Sequence, residues 1–434
     1  MQKPITQYKY LTVLYSDKVS EDCLYLNIWS PYKNLTGTGF NTKPIPVVVF
    51  IHGGAFRYMG ISMEAHDGSI YSAIGNLVFV TINYRGGVFG FLDTDFSTSE
   101  YSRNIGLYDQ EMALRWISKN IEAFGGDPRQ VTVQGQSAGA ISAGLHMLSP
   151  HTNKLFHHAI MQSGSPMMAK QLFSVSGTFN KILHKTGCNT TFMNSTTEIN
   201  LEYEESFTEK NEKAMSEYSI EINDEIEQLK CLQKVDAEKL VEIQEDILQK
   251  NILAFSPSIP SDFIPEFPSF DSNPVIFQKS VLIGADANET GLYLHHTFPE
   301  DFPLNDNFTI PNKTIMKTLK HYTSVSDTAK SMINTFLEQS DGQANRFFSL
   351  LNDFSFKGPV LKFAKFLEKR SIKAYLFMFN EPNKQYPKWI GASHWLEMDY
   401  VFGIPLRYPQ RFTKEQQELS KRMIMNFAYF ARTG

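Results

Sequence analysis

The chain has 434 residues, 42% of them apolar and 13% aromatic, with 41 basic against 46 acidic side chains and a net charge of −5. That composition supports a large buried core, and no basic run stands out that would suit a phosphate backbone, so nucleic acid is not an expected partner. No apolar run approaches the length of a membrane span, and the first ten residues lack the apolar centre of a signal peptide.

In chain order, the first strong element is Val47-Val48-Val49-Phe50-Ile51, an apolar β-branched run of buried-strand type that ends in the small-residue turn His52-Gly53-Gly54-Ala55. Helical patterning follows the Asn104-Ile105-Gly106-Leu107 block, in Met112-Ala113-Leu114-Arg115-Trp116-Ile117. Next, Val131 and Val133 lead into Gly135-Gln136-Ser137-Ala138-Gly139, and a small-residue helix over Ala138 to Leu148 leaves it. Gly-x-Ser-x-Gly between a strand and a helix is a nucleophile elbow: the serine sits at the apex of a strained turn, and a side chain at either flanking position would collide with neighbouring backbone. The pattern predicts a nucleophilic Ser137 and a helix whose free N–H groups face the reaction centre.

Further on, Ser280 to Gly284 reads as another buried strand, and the turn beyond it carries two carboxylates, Asp286 and Glu289. Either can orient a catalytic histidine. Of the eleven histidines, His157-His158 and His295-His296 are adjacent pairs whose side chains diverge, which makes them poor joint metal ligands. They read as structural or surface residues. His394 stands apart, in Gly391-Ala392-Ser393-His394-Trp395-Leu396-Glu397 after the run Ala374 to Phe379, which has the pattern of a late buried strand. Alternating strands and helices predict an α/β fold with a mostly parallel central sheet flanked by helices on both faces. Although the length would allow two or three domains, motifs of one site spread from residue 52 to residue 394 predict a single domain over 1–434.

These blocks together resemble the type-B carboxylesterase and cholinesterase family of α/β-hydrolases. Besides the elbow, Ser20-Glu21-Asp22-Cys23-Leu24-Tyr25-Leu26-Asn27-Ile28-Trp29 resembles the family's second signature. Asn104 to Gln110, Gln162-Ser163-Gly164-Ser165 and Gly391 to Leu406 fall in family order. The resemblance implies a serine esterase with Ser137 as nucleophile, His394 as base, Glu289 rather than Asp286 as orienting acid, and backbone amides of Gly54, Ala55 and Ala138 as the oxyanion hole. It implies an acyl-enzyme intermediate, a small to medium apolar ester as substrate, and no metal or organic cofactor. It also implies a Cys188–Cys231 disulfide bracketing a loop, which in this chain carries an acidic, polar insertion at about 189–230, and it leaves Cys23 without its usual partner. Relatives begin before the Ser20 block and continue past Gly434, so the chain is expected to be truncated at both ends, with a signal peptide among the missing residues and a secretory route for the whole protein. Sequons at Asn34, Asn189, Asn194, Asn307 and Asn312 fit that route, and one at Asn288 overlaps the acid turn and is expected to be unused.

Two departures bear on substrate. Cholinesterases place Glu before the nucleophile and Trp about ten residues before the signature Cys, where they hold a quaternary ammonium. Here those positions are Gln136 and Val13, which argues against choline esters. Gln before the serine also resembles the juvenile hormone esterase group. The rival class is a non-enzymatic adhesion or scaffold relative. Such proteins have lost a triad member, whereas this chain keeps Ser137, Glu289 and His394. The sequence does not specify an oligomeric state.

Overall fold

The computed structural model of the chain describes residues 19–32, 43–94, 103–168, 177–189, 226–250, 254–266, 269, 279–306, 309–322 and 343–434. Val13, the sequons at Asn34, Asn194 and Asn307, and most of the acidic insertion lie outside those residues.

Among the described residues seven strands form one sheet: β1 (Leu26–Trp29), β2 (Ile45–Ile51), β3 (Val78–Ile82), β4 (Gly126–Gln136), β5 (His158–Gln162), β6 (Ser280–Asp286) and β7 (Ala374–Phe379), in spatial order β1-β3-β2-β4-β5-β6-β7. Of these strands only β1 runs antiparallel, against β3, and the other pairings among the described residues are parallel. A parallel sheet needs crossovers that place helices on its faces, so its central strands are apolar on both sides. The two-residue period of β2 divides that apolar content. Val47, Val49 and Ile51 join one core with Leu107, Leu114 and Ile117 of the helix Ile105–Asn120 and Phe363 of the helix Gly358–Glu368. Val48 and Phe50 face the opposite core, with Tyr71, Phe79, Phe402 and the residues Ile424, Phe427 and Ala431 of the helix Lys414–Thr433. Both faces are therefore covered, in an α/β-hydrolase arrangement.

One strand differs from expectation. Ala374–Phe379 is a strand, but Tyr375, Leu376 and Met378 are exposed by 46%, 56% and 62%. The reason is its position: β7 is the last strand in the sheet order, and it pairs only with β6 among the described residues.

The parallel arrangement sets up the site. Strands β2, β4, β5, β6 and β7 all point their carboxyl ends to the same edge, and the segments leaving β2, β4, β6 and β7 carry His52–Ala55, Ser137, Glu289 and His394. Such an edge is where open α/β sheets gather functional groups. The disulfide between Cys188 and Cys231 is present, with Cα atoms 5.6 Å apart, and Cys23 is a free, half-buried thiol. No helix among the described residues is long and apolar enough to cross a membrane.

Candidate active site

Ser137 follows the last residue of β4 and precedes the helix Ala138–Leu148, with φ 56° and ψ −121°. That is a left-handed conformation that costs a non-glycine residue on the order of 1–3 kcal/mol and survives only where its surroundings fix it. Here they do. Its amide donates to the carbonyl of Gln162 at 2.8 Å. A Cβ on Gly135 would lie 2.1 Å from the Gly139 carbonyl oxygen, and one on Gly139 would lie 2.0 Å from the Ile51 carbonyl oxygen. Gly164 packs in the same way, its missing Cβ falling 2.4 Å from the Ser137 carbonyl oxygen. This gives a physical reason for Gly164, whose role the sequence left blank. Ala138 opens the helix, so its N–H has no intrahelical acceptor.

The glycine turn after β2 closes over this elbow. Gly54, Ala55 and Phe56 all have positive φ, and the Gly54 carbonyl accepts from the amides of Arg57 and Tyr58. A Cβ on Gly53 would lie 2.7 Å from Oε1 of Gln136 and 3.2 Å from Cβ of Ser137, so only glycine lets the loop approach Ser137 so closely. Fully buried His52 braces the loop. Its Nδ1 donates to the Gly53 carbonyl at 2.9 Å and its ring stacks on Tyr84 at 4.4 Å. Burial pushes the His52 pKa down to about 3, so the ring is neutral. The adjacent His66 is likewise held down to about 4 by burial.

On the other side, His394 and Glu289 are joined. Nδ1 of His394 donates to Oε2 of Glu289 at 2.7 Å, and the amide of His394 donates to the Glu289 carbonyl at 3.2 Å. Glu289 is fully buried, and its second carboxylate oxygen accepts from the Asp286 amide at 2.8 Å. Two loops are thereby clamped together. The Asn288 side chain adds to the clamp by donating to the carbonyls of Trp389 at 2.6 Å and Ile390 at 2.8 Å, while its oxygen accepts from Asn352 at 2.7 Å. With both amide hydrogens engaged, Asn288 has no N–H for a sugar in this fold. Phe356 and Tyr293 flank the imidazole, with ring centroids 4.7 and 5.2 Å away.

Of the two carboxylates in the acid turn, only Glu289 reaches the histidine. Asp286 ends β6 fully buried, with its carboxyl beside Glu397. Burial first, then repulsion from Glu397 and Glu289, holds its pKa well above the usual carboxylate range. Burial also raises the pKa of Glu397. The far edge of His394 holds a contact that sequence reasoning missed. Its Nε2 lies 3.2 Å from Nε2 of Gln136, the residue preceding Ser137. The Ser137 hydroxyl is not among the hydrogen-bond partners of His394 in this structure.

Other sequence motifs act at a distance. Asn104 donates to the Ser258 carbonyl and Ser261 hydroxyl, Asp109 binds Arg85 through both carboxylate oxygens, and Gln110 meets buried His146 at 2.8 Å. That block is therefore architectural. The paired histidines stay apart from the site: His157 Nδ1 accepts from the Val131 amide, and His295 Nδ1 donates to the Phe302 carbonyl. Among the described residues no group of three or more His, Cys, Asp or Glu side chains is placed to hold a metal ion.

A parallel sheet with helices on both faces, and a Gly-x-Ser-x-Gly elbow at its carboxyl edge, define the α/β-hydrolase class. Within that class the chain belongs to the carboxylesterase family, whose profile matches residues 2–434. It is 32% identical to an acetylcholinesterase from Bungarus fasciatus over 432 residues, which cover 96% of this chain and 64% of that relative's length.

Proposed function

We propose that the chain carries the active site of a serine carboxylic-ester hydrolase working through an acyl-enzyme. The observation that supports this best is the buried 2.7 Å bond between Glu289 and His394, whose far edge meets Gln136, the residue before the left-handed Ser137. Carboxylate Glu289 accepts from Nδ1–H, which makes Nε2 the ring nitrogen whose lone pair can take a proton. As the Ser137 oxygen attacks the ester carbonyl, Nε2 removes its proton and then passes it to the departing alkoxide, releasing an alcohol. Water repeats the sequence on the acyl-enzyme. It loses a proton to Nε2, the acid is released, and the proton returns to Ser137. Amides of Gly54, Ala55 and Ala138 stabilise the oxyanion, each such donor being worth about 2.7–4 kcal/mol of barrier.

Acetylcholine hydrolysis is the reading favoured by the name of the relative. The neutral Gln136 beside the nucleophile lacks the charge that would attract a quaternary ammonium, and we assign the site to an uncharged, small to medium apolar ester. Retention of the full Ser137, Glu289 and His394 set disfavours a purely adhesive role. The deciding experiment is labelling of purified protein with a fluorescent fluorophosphonate, with Ser137→Ala as control and circular dichroism on both. Labelling that disappears in the variant supports the proposal, and absence of labelling in well-folded wild-type protein would refute it.

A further inference from the structure

Gln136 is fully buried and touches two parts of the site. Its Oε1 lies where a Cβ on Gly53 would intrude, at 2.7 Å, and its Nε2 lies 3.2 Å from Nε2 of His394. With Nδ1–H given to Glu289, the far nitrogen of the ring is an acceptor, so the amide N–H of Gln136 donates to it. That is the same lone pair that must take the proton of Ser137. Oε1 of Gln136 is buried without a hydrogen-bond partner among the described residues. A half-turn of the amide exchanges its oxygen and nitrogen, so this one side chain can donate to a neutral ring or accept from a protonated one. A carboxylate at the same place could only accept, and would favour the protonated ring.

We propose that Gln136 is a positioning residue for the base: its amide holds the Nε2 edge of His394 between turnovers and, being uncharged, leaves the ring free to lose and regain a proton. This rests on the assignment of His394 as base. The groups facing the imidazole are Glu289 from the β6 turn, Tyr293, Phe356, Gln136 from β4, and Glu397 from the helix Leu396–Val401, with Asp286 behind them against Glu289 and Glu397. Apart from Tyr293, the ionisable groups among them are carboxyls, so no cation among the described residues offsets Glu289 there, and one more negative charge would add to its effect on the ring.

The test compares wild type, Gln136→Glu and Gln136→Met on a p-nitrophenyl ester across pH, with rates normalised to the fraction labelled by fluorophosphonate. Gln136→Glu is expected to move the acid limb of kcat/KM upward by about one pH unit or more, because a nearby anion favours the protonated imidazole. Gln136→Met supplies a side chain close in shape but unable to donate. It is expected to leave that limb in place and to lower kcat roughly tenfold at nearly unchanged KM, through loss of ring orientation. Profiles for both variants that superimpose on wild type would overturn the proposal. Should Gln136→Glu fail to fold, Gln136→Met decides alone by the same kcat criterion. Failure of the base assignment itself shows separately, as folded wild-type protein that does not label.

Discussion

At the scale of single residues, the two carboxylates of the acid turn have opposite environments, and this yields separable predictions. Glu289→Gln should lower kcat on the order of 10³-fold, since an amide can no longer enforce the imidazole tautomer, while melting temperature changes little. Asp286→Asn should leave kcat within a few-fold of wild type. Its signature lies in stability. A carboxyl whose pKa is raised by burial stays protonated in the folded chain at pH values where the unfolded chain has ionised it. The unfolded state then binds fewer protons, so wild-type stability falls as pH rises above the ordinary carboxylate range. Relative to wild type, Asp286→Asn should gain stability progressively with pH, read as a difference in melting temperature that is smallest in acid. A reversal of these two phenotypes would mean that Asp286, not Glu289, serves His394. From sequence alone the two were distinguishable only by resemblance, because nothing in the turn reveals that one carboxyl points to a loop 105 residues later.

At the scale of elements, the elbow was legible in the sequence because its constraints are local. Strand, turn and helix are contiguous, and the helix spans Ala138–Leu148 as its small residues predict. Ser137→Gly should be more stable than Ser137→Ala by about 1 kcal/mol, since glycine adopts the left-handed turn without strain, and chemical denaturation of the two inactive variants measures it. Gly139→Ala should yield little folded protein. Its Cβ would meet backbone rather than a side chain that could move away, at 2.0 Å from the Ile51 carbonyl oxygen. Recovery of soluble, active Gly139→Ala would show that the helix can shift on the sheet. The contacts that sequence did not reveal are tertiary. Phe356 and Tyr293 against the imidazole, Asn352 on Asn288 and Gln136 on His394 join separate elements, and each residue type is compatible with an ordinary core position. The buried character read into Ala374–Phe379 failed for a related reason, since composition does not say whether an apolar strand has a neighbour on both sides.

For the molecule as a whole, covalent closure adds to the packed core. The Cys188–Cys231 bond joins positions 43 residues apart. Loop-closure entropy for that length corresponds to about 4 kcal/mol against the unfolded chain. A Cys188→Ser, Cys231→Ser double variant should lose several degrees in melting temperature while keeping its fluorophosphonate labelling at low temperature. Loss of labelling in the folded variant would tie the disulfide to the site instead. The pairing itself came from family resemblance, and the structure bears it out. Spacing alone would not have selected it over a pairing with Cys23.

On a secretory route, the Asn288 clamp would set up a race during biosynthesis. The carbonyls that occupy both hydrogens of its amide belong to Trp389 and Ile390, 101 and 102 residues further along. For any copy made on membrane-bound ribosomes, the sequon emerges well before the segment that will shield it. An oligosaccharide attached in that interval would occupy the amide for good, keep the Trp389–Ile390 segment from docking, and leave the neighbouring His394 without its seat. A single early modification would thus yield a fully synthesised chain in which His394 never meets Glu289, and the fraction of such copies would depend on how quickly that late segment docks.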